Sequence, residues 1–254
     1  MRIVRFAVGD DIGYGFLHDD DVVERLSGHP CGEVSGTGLV APLSAVRLLA
    51  PILPSKVIAV GRNYAEHARE LGNEVPAEPM IFLKPTTSIC GPGDPIVLPW
   101  QSEQVEHEAE LAVVIRALCR SVPQESALDW VLGYTCANDV TARDLQRTDG
   151  QWGRAKGFDT FCPIGPWIET DLDPADLEVS CRVNGELRQS GRTSHMVFDV
   201  AHLVSWVSSV MTLLPGDIIV TGTPAGVGPL TKGDEVTVSI EGIGTLTNRV
   251  VDGG

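Results

Sequence analysis

The chain has 254 residues, 43% hydrophobic and 21% charged, the balance of a soluble globular protein with room for one large domain or one domain and a small appendage. Its 34 acidic residues against 19 basic ones leave a formal charge of −15, which argues against a nucleic-acid partner, since phosphate binding needs clustered Lys and Arg. The same charge repels anions at long range, so an acidic substrate requires a local positive pocket.

The N-terminus, Met1-Arg2-Ile3-Val4-Arg5-Phe6, lacks the apolar stretch of a signal peptide, and no apolar run approaches the length of a membrane span. A cytoplasmic location without membrane association is expected. The six cysteines show no C-x-x-C pairing and most lie in apolar runs, so they read as reduced core residues. Residues 1–53 read as a small β-rich N-terminal domain, with strands over 3–8, 13–17 and 22–26 between acidic turns. Pro51-Ile52-Leu53-Pro54 reads as a linker. Residues 54–254 then form the main domain.

That domain opens with a buried strand over 56–60. A short helix over 64–71 follows, with Asn63 as its expected N-cap, Glu66 completing a capping box and Gly72 ending it. His67 and Glu70 are three apart and share a face of this helix, which is a lid or simply a surface element. A strand over 80–83 and a Gly/Pro-rich loop over 85–99 precede the stretch Val105-Glu106-His107-Glu108-Ala109-Glu110, which runs into the apolar Leu111–Ile115. In a strand, Glu108 and Glu110 lie side by side on one face. Two such carboxylates repel each other unless a cation sits between them or one takes up a proton. An exposed strand end is the plain alternative, and Glu106, on the same face, is a rival ligand.

A helix is expected over 124–132, a strand over 133–137 ending at Asn138-Asp139, and another helix from Thr141. Asp139 thus stands at a strand end, either as a third functional acid or as an ordinary helix N-terminal acid. Residues 177–183 and 186–189 flank Asn184-Gly185 as a hairpin with a type I′ turn. Residues 199–213 form an amphipathic helix and 218–220 a strand. The loop Thr221–Gly228 carries glycines whose N–H groups can approach a carboxylate closely. Strands over 235–240 and 245–251 close the chain. Many strands with few helices indicate an α+β, mainly β, domain.

Six segments then stand in a telling order: Gly61-Arg62-Asn63-Tyr64, Phe82-Leu83-Lys84-Pro85, Glu108-Ala109-Glu110-Leu111, Asn138-Asp139-Val140-Thr141-Ala142-Arg143-Asp144, Lys156-Gly157-Phe158-Asp159 and Thr221-Gly222-Thr223-Pro224. In this order, over residues 55–251, the chain resembles the fumarylacetoacetate hydrolase family. It is similar to the short bacterial branch that includes acylpyruvate hydrolases and the isomerase/decarboxylase of homoprotocatechuate breakdown.

The resemblance implies a mixed β-sheet roll, a homodimer, and Mg²⁺ or Mn²⁺ held by Glu108, Glu110 and Asp139. Oxygen-only ligation agrees with a hard ion. It also implies Lys156 as a cation facing the substrate or balancing the carboxylate cluster, where composition alone reads a solvated lysine. His67 and Glu70 become a catalytic pair on a lid. Arg62, Tyr64, Arg143, Gln146, Gly222 and Thr223 become substrate-binding candidates. The implied activity is hydrolytic C–C cleavage of a small anionic 2-oxo or 1,3-dicarbonyl acid through a metal-bound enolate. The alternatives are an isomerase/decarboxylase of the 2-hydroxyhepta-2,4-diene-1,7-dioate type in aromatic catabolism, an oxaloacetate decarboxylase, or a catalytically inactive metal-binding protein. A zinc or cysteine-nucleophile hydrolase is disfavoured, because H-E-x-x-H, C-x-x-C and G-x-S-x-G are absent.

Overall fold

The computed structural model describes residues 1–253. The N-terminal strands are β1 (Arg2–Val8), β2 (Asp11–Leu17), β3 (Val22–Ser27), β4 (Ser35–Pro42) and β5 (Arg47–Leu49). After them come β6 (Val57–Gly61), helix α1 (Ala65–Glu70), β7 (Met80–Lys84), β8 (Ile89–Cys90), β9 (Ile96–Leu98), β10 (Val105–His107) and β11 (Ala109–Ile115). The middle of the chain gives β12 (Val131–Asn138), β13 (Thr141–Ala142), α2 (Arg143–Thr148), α3 (Gly153–Gly157) and β14 (Cys162–Glu169). The rest is β15 (Glu178–Val183), β16 (Glu186–Arg192), α4 (Val200–Val210), β17 (Ile218–Val220), β18 (Gly228–Pro229), β19 (Glu235–Ile240) and β20 (Gly244–Asp252). The fold is mainly β with mixed sheets.

A 12-stranded sheet runs β4-β3-β2-β1-β14-β12-β11-β17-β6-β7, with β5 attached to β1 and β8 to β14. The N-terminal strands, which read as separate in the sequence, are stitched into this sheet through Arg2↔Glu169 and Ile3↔Ile168. Pro51, Ile52 and Pro54 are buried, so the linker is packed. At the centre, β11 is buried along its whole length because a core lies on each face. Leu111, Val113 and Ile115 enter the larger core, while Ala112 and Val114 enter a second one. That explains an apolar run without alternation.

A five-stranded sheet, β16-β15-β19-β20-β9, packs on the larger core through Val179, Cys181, Val236 and Val238. Its β15–β16 hairpin turns at Asn184 and Gly185, both at positive φ (52° and 80°), the geometry that selects Asn-Gly. Helix α4 is capped by the Asp199 side chain, which accepts the His202 N–H at 2.7 Å, and it seats Leu203, Val204 and Val207 in the core. It stops at Val210, short of the expected end, because Leu213 exchanges backbone hydrogen bonds with Cys119. A three-stranded sheet, β13-β10-β18, completes the fold.

Two expected helices differ. Residues 124–130 form a 3₁₀ helix, since Val131 and Leu132 are drawn into β12. Thr141 and Ala142 pair with Glu106 and Val105 as β13, so helix α2 begins at Arg143. All six cysteines are free thiols, five of them buried. Among the described residues, no helix is long and apolar enough to cross a membrane.

Candidate metal centre and active site

The acidic stretch breaks at Glu108. Before it, β10 pairs with β13 and β18; after it, β11 pairs with β12 and β17. The chain therefore changes sheets at this residue. Its N–H donates to Asn138 Oδ1 at 2.9 Å and its carbonyl accepts the Asp139 N–H at 2.9 Å. These bonds tie the break to the end of β12, where Asp139 stands. Glu108, Glu110 and Asp139 are all buried, and each offers an oxygen within 4.8 Å of the others. Glu106 is not part of this group. The sheet change at Glu108 breaks the shared face, and Arg143 Nε and Gln104 Nε2 engage Glu106 at 2.7 and 2.6 Å.

Three buried cations face the acids. Lys156, at the end of α3, lies 2.7 Å from Glu108 Oε2 and 2.6 Å from Asp139 Oδ2. Arg143 donates to Glu108 at 2.5 Å and to Gln146 at 2.6 Å. Lys84, at the end of β7, pairs with Asp139. Burial pushes the Glu108 pKa up, but Lys156 and Arg143 overcome it and hold the carboxyl below its ordinary range. Burial lowers the Lys156 pKa, yet Asp139 and Glu108 outweigh it and the ammonium is held charged. Glu110 stands apart, with its carboxylate accepting the Gly222 N–H at 2.6 Å and no cation at ion-pair distance among the described residues. Burial, then Asp139 and Glu108, raise its pKa well above normal.

Helix α1 closes one side. His67 is buried, and its Nδ1 lies 3.1 Å from Glu70 Oε2. The Gly226 N–H donates to Glu70 Oε1 at 3.0 Å, which joins the helix to the 221–228 loop. Asn63 does not cap α1 by its side chain. Its amide donates to Phe198 O (3.0 Å) and Thr221 O (2.8 Å), so it staples two loops instead. Glu66 is exposed and completes no capping box.

A cavity of about 260 Å³ opens on this cluster. Its wall brings together the three acids, His67, Lys156, Arg62, Arg143, Gln146 and Thr223. Tyr64 and Gly222 are not in the wall. The Tyr64 hydroxyl is buried without a partner, its pKa raised by burial and then by Glu110. The Gly222 N–H, expected to meet a substrate carboxylate, is spent on the carboxylate of Glu110. Gly222 also needs its glycine: at φ +97° a Cβ would lie 2.8 Å from Asn63 Cβ. Arg62 holds φ +58° and stacks 6.0 Å over Trp152. Trp152 in turn meets Phe82 edge-on at 5.1 Å, and both rings line the cavity.

Sequence reasoning assigned no role to Lys84, Phe82 or Trp152. Lys84 was visible as part of Phe82-Leu83-Lys84-Pro85, and a lysine ending an apolar strand is a usable signal. Trp152 lies in a polar, Gly-rich stretch that gives none.

Fold and site together define an α+β protein, mainly β, with a candidate all-carboxylate metal centre at the end of its central sheet. The fumarylacetoacetate (FAA) hydrolase C-terminal domain model matches residues 56–251, and the Rv2993c-like N-terminal model matches residues 1–51. The chain belongs to the fumarylacetoacetate hydrolase family. It is similar to the crystal structure of a 5-carboxymethyl-2-hydroxymuconate delta-isomerase from Mycobacterium smegmatis, with 54% identity, TM-score 0.94 and all of both chains covered. A 2-hydroxyhepta-2,4-diene-1,7-dioate isomerase from Mycobacterium marinum is 53% identical, with TM-score 0.92 over 100% of this chain and 99% of that one. A mitochondrial oxaloacetate tautomerase of Bos taurus, FAHD2B, is 49% identical over 84% of this chain and 72% of its own length.

The residues fit a divalent ion. Three oxygen donors suit Mg²⁺ or Mn²⁺, and a cation among them would relieve the repulsion that raises Glu110.

Proposed function

We propose that the protein is a divalent-metal-dependent enzyme that moves a proton at the carbon beside the ketone of a small 2-oxo dicarboxylic acid, an isomerase or tautomerase reaction. The observation that carries this reading is the convergence of the carboxylate triad and His67 on one cavity, with Glu70 behind the imidazole outside the cavity wall. The names of the isomerase and tautomerase relatives support it. Held by Glu108, Glu110 and Asp139, Mg²⁺ or Mn²⁺ would act as a Lewis acid, stabilising negative charge on the substrate's oxygens.

The chain's own residues do the rest. Glu70 accepts the His67 Nδ1–H, which leaves Nε2 as the base that removes and returns the proton. Lys156 balances the acids. Phe82 and Trp152 give the cavity its apolar surface. Arg62 and Arg147 line the same cavity and form no ion pair among the described residues, so they supply the local positive charge that an anionic substrate needs in a chain this acidic.

Hydrolytic C–C cleavage is the second reading, favoured by the same His67–Glu70 pair, which is also built to activate water. The test follows deuterium uptake from D₂O at C3 of oxaloacetate, alongside cleavage of an acylpyruvate, with Mg²⁺ and with EDTA. Exchange without cleavage supports the isomerase reading, and faster cleavage than exchange supports hydrolysis. His67→Ala should slow the favoured reaction ~10²–10⁴-fold, the usual worth of a general base. Protein-dependent exchange, above the spontaneous rate in buffer alone, that persists in EDTA or is untouched in His67→Ala would overturn the proposal.

A further inference from the structure

Gln189 lies on β16 without exposed surface, although Glu186, Leu187 and Arg188 before it are all exposed. All four hydrogen-bonding positions of its amide are filled. Oε1 accepts from the Ala109 N–H at 3.0 Å and from His107 Nδ1 at 2.9 Å, and Nε2 donates to Thr223 Oγ1 and to the Pro224 carbonyl, each at 2.7 Å. The orientation is fixed by chemistry. A backbone N–H can only donate and a carbonyl can only accept, so a rotated amide would set donor against donor and acceptor against acceptor. The proton on His107 therefore sits on Nδ1.

Two segments meet at this one amide. His107 and Ala109 are the residues on either side of Glu108. Thr223 and Pro224 follow Gly222, whose N–H holds Glu110. The Thr223 hydroxyl also donates to the Ala109 carbonyl at 2.8 Å, which closes the loop of bonds. Gln189 itself is not in the cavity wall. We propose that Gln189 is a positioning residue of the metal centre: its amide, reaching across from the five-stranded sheet, fixes the backbone that aims Glu108 and Glu110. This inference rests on the metal reading above.

The role predicts a loss of metal affinity that a merely structural glutamine would not cause. The experiment titrates EDTA-stripped protein with Mn²⁺ and reads free Mn²⁺ by EPR. Gln189→Leu fills the space but makes none of the bonds, and its Mn²⁺ affinity should fall ~10–100-fold, the usual cost of removing support behind a ligand. Gln189→Glu keeps an acceptor for His107 and Ala109 and should fall between the two. Val238→Ala, buried in the same sheet, serves as a control that should lose thermal stability but keep its affinity. Wild-type affinity in folded Gln189→Leu overturns the inference, as does a Val238→Ala control that loses affinity in step with stability. If Gln189→Leu does not fold, wild-type affinity in Gln189→Glu overturns it. A wild-type protein that binds no Mn²⁺ overturns the metal reading and the positioning role with it, whereas wild-type binding with unaffected Gln189 variants overturns the positioning role alone.

Discussion

Lys156 is the residue for which the sequence leaves two roles open. From the sequence it reads as a cation that faces the substrate or balances the carboxylate cluster, and whose loss should alter kinetics more than stability. In the structure its ammonium sits between Glu108 and Asp139 with almost no exposure. Lys156→Ala would remove the one cation shared by Glu108 and Asp139, leaving each with a single buried partner, Arg143 and Lys84, and breaking a buried pair costs about 3–5 kcal/mol. Urea unfolding in EDTA should register a loss of that order. Adding Mn²⁺ should recover much of it, because the ion takes over the neutralising role. A loss below about 1 kcal/mol, the range of exposed pairs, would mean that Lys156 does not hold the cluster together. The three acids were grouped by the family resemblance: spacing alone set Glu108 beside Glu110, and it left Asp139 open between a functional acid and a helix N-terminal one. Gln189 was not. Its run reads as an exposed strand edge, and only the packing of one sheet against another buries it.

Helix α1 is six residues long and has no side-chain cap, so its own hydrogen bonds cannot keep it formed. Tertiary contacts hold it, chiefly Ala68 in the core, the His67–Glu70 pair and the bond from Gly226 to Glu70. Hydrogen bonds to a charged group are worth about 1.5–3 kcal/mol, or about 10–100-fold in an opening equilibrium. Glu70→Ala should therefore speed amide exchange across residues 65–71, read by hydrogen–deuterium exchange, and leave the exchange of β11 unchanged. Equal exchange in the two proteins would mean that Glu70 is no latch. The helix and its His/Glu spacing were readable in the sequence. Its partner was not, since 156 residues separate Glu70 from Gly226. The missed strands have similar causes. β4 is exposed except at the half-buried Ala41 and shows no alternation, and the expected 124–132 helix lost its last residues to β12, a competition that local propensity does not contain.

At the scale of the molecule, Glu110 couples the site to folding. Its folded pKa lies above the ordinary 4.5 through burial and its acidic neighbours. The folded protein thus keeps a proton that the unfolded chain releases. The stability this confers is present below pH 4.5 and is lost as pH rises toward the folded value. A divalent ion competes for the same carboxylate, so it should stabilise most where the proton is gone. The expected result is a larger rise in Tm on adding Mn²⁺ at pH 7.5 than at pH 5. An equal rise at both pH values would show that the ion binds elsewhere.

The pairing of β11 with β12 sets Ala109 opposite Asn138 and Glu110 opposite Ala137. Side chains alternate across a strand, so a slip of one residue would turn Glu110 and every core residue of β11 to the wrong face. Leu111 and Val113 would still find an apolar core on the other side, because both faces of this strand are covered. Hydrophobicity therefore discriminates weakly between the native alignment and its neighbour. The acids discriminate strongly, since only one alignment brings Glu108, Glu110 and Asp139 together. A metal ion arriving late in folding would act as a proofreader, withdrawing the correctly aligned chain from a mixture and leaving the slipped form unrewarded.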